Sequence, residues 1–151
     1  MRAVIQRVKK ASVTVEGKIV SSINTGLLVL LGVSINDQDK DIDYMIDKIL
    51  NLRIFPDEEY KMNKSITDVS GEMIVVSQFT LYGDARKGRR PSYDIAAKGD
   101  VAKPIYEKVV NILKEKYDAN KVFTGIFAAM MDVELINDGP VTILLDSERN
   151  F

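Results

Sequence analysis

The polar residues best suited to chemistry stand where an apolar strand is expected to end. Ser77, Gln78 and Thr80 follow the apolar segment that begins at Met73 and lead directly into a glycine-containing basic loop. Loops at strand ends often converge on a ligand, so this segment is a candidate site. A half-exposed strand would explain the same serine and threonine. A hydroxyl nucleophile also needs a base, and no Ser-x-x-Lys spacing supplies one.

The sequence has no histidine and no cysteine, which excludes several kinds of chemistry. Neither a Ser-His-Asp triad nor a His-ligated zinc site can form, and thiolate nucleophiles, disulfides and iron–sulfur clusters are absent. Hydrolysis would depend on carboxylates, lysine, hydroxyls, backbone dipoles or the substrate itself. Asp132 and Glu134 alternate along one strand face without a partner at ligand spacing, so we predict neither a metal nor a cofactor.

A short basic loop follows the candidate site. Arg86, Lys87, Arg89 and Arg90 place four positive charges within five residues, and two glycines lie nearby. Arginine forks and a closely approaching glycine backbone suit phosphate, although a solvated charged loop has the same composition. No aromatic residues alternate with these charges, so the loop does not indicate stacking on single-stranded bases. The formal net charge is only −1, so contact with nucleic acid must be local.

Strands and two helices must position these residues. β-Branched and apolar runs predict strands over 3–8, 12–15, 18–20, 27–31, 73–81, 121–124, 127–136 and 141–145. The run 27–31 is apolar throughout and bracketed by glycines, which indicates a central strand buried on both faces. Asn137-Asp138-Gly139-Pro140 has the composition of a hairpin turn.

Apolar residues at helical spacing predict both helices. The first starts near Asp37 and buries Ile42, Met45, Ile46, Ile49 and Leu50. The second covers 100–117, with Pro104 in or near its first turn. Its apolar face is expected to contain Val101, Ile105, Val109, Ile112 and Leu113.

The organisation of the chain indicates one domain over residues 1–151, with no linker and no internal repeat. The N-terminus lacks the features of an export signal, and the longest apolar run, Gly26 to Val33, is far shorter than the roughly 20 residues that span a bilayer. We therefore expect a cytoplasmic protein that does not associate with membranes.

Three motifs at characteristic distances give the sequence a family resemblance. They are Gln6-Arg7-Val8, Ser77-Gln78-Phe79-Thr80-Leu81 and Asn137-Asp138-Gly139-Pro140-Val141-Thr142, and Ala11 to Val15 and the segment Gly88 to Ser92 fit the same pattern. Together they resemble the D-aminoacyl-tRNA deacylase family over the whole chain. The order of predicted elements indicates a mixed α/β protein, and the resemblance implies the family's three-layer α/β/β fold.

The resemblance also implies an activity. The expected enzyme is a homodimer of translation quality control that hydrolyses the ester between a D-amino acid, or glycine, and the 3′-terminal adenosine of tRNA. Ser77, Gln78, Phe79 and Thr80 would form the catalytic segment. Main-chain N–H groups around Phe79 and Thr80 would stabilise the oxyanion, with Thr80 in a binding role.

The resemblance assigns chiral selection to a second segment. The Gly139-Pro140 bond would be cis, and its turn would reach the partner subunit's pocket, braced by Arg7. Ala102 would line that pocket, and the basic loop of Arg86, Lys87, Arg89 and Arg90 would contact tRNA phosphates.

Two other functions remain open. The same dimer could bind tRNA ends or another small ligand without hydrolysis, which the absence of histidine favours. A metal-dependent hydrolase is the third candidate and ranks last. Turnover of an aminoacyl ester distinguishes the deacylase from the non-catalytic binder. Sensitivity of the activity to a chelator tests for the metal-dependent hydrolase.

Overall fold

The principal sheet is organised around its first strand. The computed structural model describes residues 1–150. Its elements are, in chain order, β1 (Arg2–Val15), β2 (Lys18–Ile23), β3 (Gly26–Gly32), α1 (Asp39–Asn51), β4 (Phe55–Pro56), β5 (Met62–Lys64), α2 (Ile66–Val69), β6 (Glu72–Ser77), α3 (Gly99–Lys116), β7 (Val122–Thr124) and β8 (Asp132–Asp146). A 3₁₀ turn, Phe79–Tyr82, follows β6 and is called the site turn below.

The strand pairing brings the ends of two parallel strands together. β1 pairs with β3 through its first half and with β2 through its second half, while β8 runs antiparallel along its other edge. β3, β6 and β7 are parallel neighbours. Leu31 near the end of β3 therefore lies opposite Ser77 at the end of β6.

Alternate residues of β3 and β6 face two different apolar clusters. On one face, Val29 and Val75 pack among apolar residues of α1 and α3. On the other face, Leu28 and Ile74 pack with the second half of β1 and the first half of β8. The prediction of a central strand buried on both faces at 27–31 is confirmed, because both sides of the central strands are covered.

The helices match their predicted positions, and the predicted α3 face is wrong only at Val101, since Ile105 and Ile112 pack against the core and Val109 and Leu113 are buried. All five apolar residues predicted for the first helix are buried in α1. In α3, Val101 is 48% exposed and Ala102 is buried, together with Tyr106, Val109, Val110 and Leu113. The aromatic Tyr106 sets this face, since its hydroxyl donates to the Val75 carbonyl at 2.7 Å. Pro104 lies inside the helix, beyond its first turn.

Two predictions about the end of the chain are also wrong. The strand predicted at 127–136 begins only at Asp132, because the preceding residues turn and Ala128 has a φ of 61°. Asn137 to Pro140 is not a hairpin turn, since β8 pairs with β1 on both sides of it. Thr142 pairs with Gln6 and Asn137 with Val8, so the extra residues of β8 protrude from the strand.

None of the helices within residues 1–150 is both long and apolar enough to cross a bilayer.

Candidate active site

A cavity of about 790 Å³ opens at the ends of the parallel strands β3 and β6. The site turn, the first half of α3 and the residues just before β8 form its walls. Ligands in α/β sheets commonly bind beyond the carboxyl ends of parallel strands, which is the position of this cavity. Ala102 and Tyr106 line it from α3, and both are buried.

The site turn is held closely against the end of β3. The main-chain N–H of Gln78 donates to the main-chain carbonyl of Leu31 at 2.8 Å. Gly32 permits the approach, because a Cβ there would lie 2.9 Å from the Gln78 carbonyl oxygen and 3.3 Å from the Leu81 Cβ. The turn begins at Phe79 and Thr80, and a helical segment leaves its first amide N–H groups without an intrahelical acceptor. Those two groups can donate to a ligand.

The hydroxyl groups of the candidate segment lie at the cavity without a strong base. Ser77 and Gln78 are half-buried and Thr80 is exposed. The Gln78 side-chain amide donates to the Thr80 Oγ1. Among the described residues that line the cavity, Lys98 is the only one with a formal charge. The arrangement is suited to binding and orienting a substrate rather than to activating a hydroxyl nucleophile.

Two aromatic pairs shape the cavity walls. The Phe79 and Tyr93 rings meet edge to face with their centroids 5.1 Å apart, and Phe79 is 56% exposed. Tyr106 and Phe127 lie 5.7 Å apart. Burial raises the pKa of Tyr106, so its hydroxyl stays protonated and keeps its bond to the Val75 carbonyl. This bond fixes one wall of the cavity.

The Gly139–Pro140 turn protrudes from the middle of β8. The peptide bond between these residues is cis, and both residues are exposed. Neither lines the cavity of the same chain. Asn137 closes the base of the turn, because its side-chain amide donates to the carbonyls of Arg7 and Val141 at 2.9 and 3.0 Å.

Arg7 supports this turn from beneath. It is buried, and its Nη1 donates to the Ile54 carbonyl at 2.5 Å. Its Nε lies 3.0 Å from the Asp138 Oδ2. Gly139 has a φ of 120°, and a Cβ there would lie 3.1 Å from the Arg7 Nη2. Arg7 therefore packs closely against both Asp138 and Gly139.

The basic loop is exposed and is closed at its base by a bridge between Asp84 and Ser92. Arg86 donates to the Asp84 carboxylate from Nε at 2.9 Å and from Nη2 at 2.6 Å. Those bonds hold the pKa of Asp84 well below its usual range. Lys87, Arg89 and Arg90 make no ion pair with a carboxylate within residues 1–150. Three of the four basic residues predicted to contact phosphate are therefore not paired with a carboxylate in this part of the chain.

Comparison with known proteins decides the family. The family described as D-Tyr-tRNA(Tyr) deacylase matches residues 4–146. A D-aminoacyl-tRNA deacylase of Thermosipho africanus (strain TCF52B) is 61% identical over the full length of both chains. The chain belongs to the D-Tyr-tRNA(Tyr) deacylase family. A D-aminoacyl-tRNA deacylase of Clostridioides difficile (strain 630) is 60% identical, again over both full lengths. The predictions of this family and of a hydrolase are confirmed.

Solved structures with the same fold support the deacylase architecture. One described as "c-Myc DNA Unwinding Element Binding Protein" has a TM-score of 0.93 and 44% identity, covering 97% of this chain and 98% of that one. A probable eukaryotic D-amino acid tRNA deacylase has a TM-score of 0.81 at 17% identity, covering 95% and 97%. The mixed α/β prediction is confirmed by the elements and by these neighbours.

Within this deacylase-family chain, the predicted site residues fall into three separate places. Ser77, Gln78, Phe79, Thr80 and Ala102 line one cavity. Arg7 contacts the protruding turn that contains Gly139 and Pro140, and none of the four basic-loop residues lines the cavity. The described residues contain no group of three or more His, Cys, Asp or Glu side chains that could hold a metal ion.

Sequence reasoning missed several residues that shape these places. Asn137 and Asp138 were visible only as turn formers, yet their side chains hold the turn. Ile54 acts through its backbone carbonyl, which no side-chain pattern reveals. Gly32 could have been suspected, because it follows a fully apolar strand.

Proposed function

We propose that this protein hydrolyses the ester of D-aminoacyl-tRNA in the cytoplasm, as a step of translation quality control. Water adds to the carbonyl carbon, the bond to the ribose oxygen breaks, and free tRNA and the amino acid leave. The observation that carries the proposal is the cavity at the end of β3 and β6 in a chain of this family. Apart from Lys98, its polar groups are hydroxyls, an amide and backbone N–H groups, which suit the uncharged ester group.

Positioning supplies the chemistry in place of a strong base. An aminoacyl ester is already activated, so a well-oriented water can attack it without a histidine. The N–H groups of Phe79 and Thr80 donate to the oxyanion that forms. The adjacent ribose 2′-hydroxyl orients the water, and the Thr80 hydroxyl, which accepts from Gln78, binds substrate. No step requires a metal.

A homodimer completes each site in this proposal. Gly139 and Pro140 are exposed and do not line their own cavity, so the turn is free to enter the cavity of a second copy. On the same strand, Ile136 and Leu144 are 46% and 58% exposed. Leu145 packs in the cluster with α1 and α3 and Leu135 in the other cluster, so Leu144 and Ile136 lie on opposite faces of β8. Exposed apolar surface on either side of a protruding turn suits a self-complementary contact.

The protruding turn then selects chirality by exclusion. Rigid backbone at Gly139 and Pro140 occupies the space that an L side chain needs and leaves a D side chain pointing outward. Side-chain identity has little influence, because no pocket for the side chain is required. Glycine presents a hydrogen on both sides, so glycyl-tRNA also enters. The basic loop holds tRNA phosphates through Lys87, Arg89 and Arg90.

Purified protein with D-tyrosyl-tRNA and L-tyrosyl-tRNA tests the function directly. We expect rapid loss of the D ester alone, at a rate that a chelator does not change. Protection of both esters by folded protein would instead establish binding without hydrolysis. D-tyrosyl-tRNA loss that EDTA abolishes would contradict the metal-free mechanism.

A matched pair of variants tests the dimer. Leu144→Glu places a charge at an exposed apolar position of β8, beyond the protruding turn, and Ile19→Glu places one on β2 at a residue that is 69% exposed. Analytical ultracentrifugation should show a dimer for the wild type and for Ile19→Glu, and a folded monomer without turnover for Leu144→Glu. An active Leu144→Glu monomer would refute the shared site.

Non-catalytic binding is the second candidate. It is favoured by the missing base and by a 44%-identical solved protein named for binding a DNA element. The D-tyrosyl-tRNA assay separates the two, since a binder lengthens the life of the ester and an enzyme shortens it.

A further inference from the structure

Arg2 connects the site turn to the end of the chain. Its Nη1 donates to the Leu81 carbonyl at 3.1 Å, and its Nε donates to the Asp146 Oδ2 at 3.2 Å. The guanidinium carbon also lies 4.7 Å from the centre of the Tyr82 ring. Two of the four residues of the site turn are therefore in contact with this one side chain.

The acid that orients Arg2 is itself fixed. Asp146 is 2% exposed, and its carboxylate accepts from the Glu148 amide N–H at 2.9 Å and from the Asn150 side chain at 3.2 Å. With its partner held in this way, the guanidinium has a defined direction. Its Nη1 group therefore points towards the Leu81 carbonyl oxygen.

The site turn depends on such support because it is short. A single 3₁₀ turn of four residues has few internal hydrogen bonds and little stability of its own. The Thr80 carbonyl accepts from the Gly83 amide at 2.9 Å, and the Leu81 carbonyl accepts from Arg2. Gly32 supports the turn from the β3 side, so Arg2 and Gly32 hold it from two directions.

We propose that Arg2 is a positioning residue for hydrolysis, which acts by fixing the site turn through the Leu81 carbonyl. The inference rests on the proposed function, in which the N–H groups of Phe79 and Thr80 meet the reacting carbonyl. Arg2 does not line the cavity and so makes no contact with substrate. Its loss should therefore lower kcat and leave KM nearly unchanged.

Three variants test this role by kinetics. We expect Arg2→Met to lower kcat by about ten- to a hundredfold, since an error of about 1 Å in geometry has that effect, while KM stays within about twofold. Arg2→Lys should restore part of kcat, because one ammonium reaches either the carbonyl or Asp146 but not both. Lys121→Met is the matched control: its ammonium donates to the Ser70 carbonyl at 3.0 Å, before the opposite end of β6.

Backbone amide NMR shifts separate positioning from loss of folding and from failure of the function. Arg2→Met should shift the Phe79 and Thr80 resonances and leave those of α1 in place, whereas Lys121→Met should not move the site turn. Unchanged kcat and unchanged Thr80 shifts in Arg2→Met would overturn the proposal while leaving the deacylase intact. A wild type without turnover would refute the function, and an unshifted Thr80 in Arg2→Met would then refute the positioning role independently.

Discussion

The Arg7 Nε lies 3.0 Å from the Asp138 Oδ2, directly beneath the protruding Gly139–Pro140 turn. Both side chains are largely shielded, with 10% of Arg7 and 29% of Asp138 exposed. Arg7 also donates to the Ile54 carbonyl, so it joins the turn to the segment that precedes β4. The turn is therefore fixed by a charged pair and not only by its own backbone.

Removing the acid should loosen the turn without deleting it. We expect Asp138→Asn to destabilise the protein by about 1–3 kcal/mol, the cost of leaving a buried charged group without its partner. The preference for D-tyrosyl-tRNA over L-tyrosyl-tRNA should fall about tenfold, which is 1.4 kcal/mol of discrimination. Measured kcat/KM for both esters gives the ratio. Asp132→Asn changes an exposed acid of the same strand and should leave it unaltered.

Any side chain introduced at Gly139 should destabilise the protruding turn. The Gly139 φ of 120° is a backbone conformation that L residues rarely adopt, and a Cβ would lie 2.8 Å from the Val141 Cγ2. Gly139→Ala should cost about 1–3 kcal/mol and weaken the D over L preference. Gly17→Ala is the control, because its φ is also positive, 75°, but no atom lies within 4 Å of its Cβ. Equal D over L ratios in the two variants would contradict a role for the turn in selection.

The sequence predicted the elements whose signal is local. The apolar run of β3 and the α1 periodicity each depend on neighbouring residues, and both match the structure. The strand predicted at 73–81 is wrong in its second half, because β6 ends at Ser77 and residues Phe79–Tyr82 form a 3₁₀ turn. The prediction of a hairpin turn at Asn137–Pro140 was wrong, because the composition of this segment cannot reveal that β1 pairs with β8 on both sides of it. Arg2 and Asp146 are 144 positions apart, so no local pattern could indicate their contact.

The basic loop should contribute unequal charges to tRNA binding. Arg86 is engaged by Asp84, whereas Lys87, Arg89 and Arg90 are not paired with a carboxylate in the described part of the chain. Neutralising those three to Gln should make the plot of log kcat/KM against log salt shallower by about 2, since each phosphate contact contributes about 0.7–0.9. Arg86→Gln is the internal control and should change the slope far less. An unchanged slope in the triple variant would place the tRNA elsewhere.

Thr80 distinguishes binding from nucleophilic catalysis. Its Oγ1 accepts from the Gln78 side chain, and no His or carboxylate lines the described cavity to remove its proton. We therefore expect Thr80→Ala to raise KM for D-tyrosyl-tRNA and lower kcat by no more than about tenfold, the loss of one substrate hydrogen bond. Thr80→Val, which keeps the shape and removes the hydroxyl, should behave alike. If Thr80→Ala were folded and dimeric but had no turnover, and Thr80→Ser restored turnover, the hydroxyl would be the nucleophile. An acyl-enzyme trapped by acid quench would then identify the intermediate.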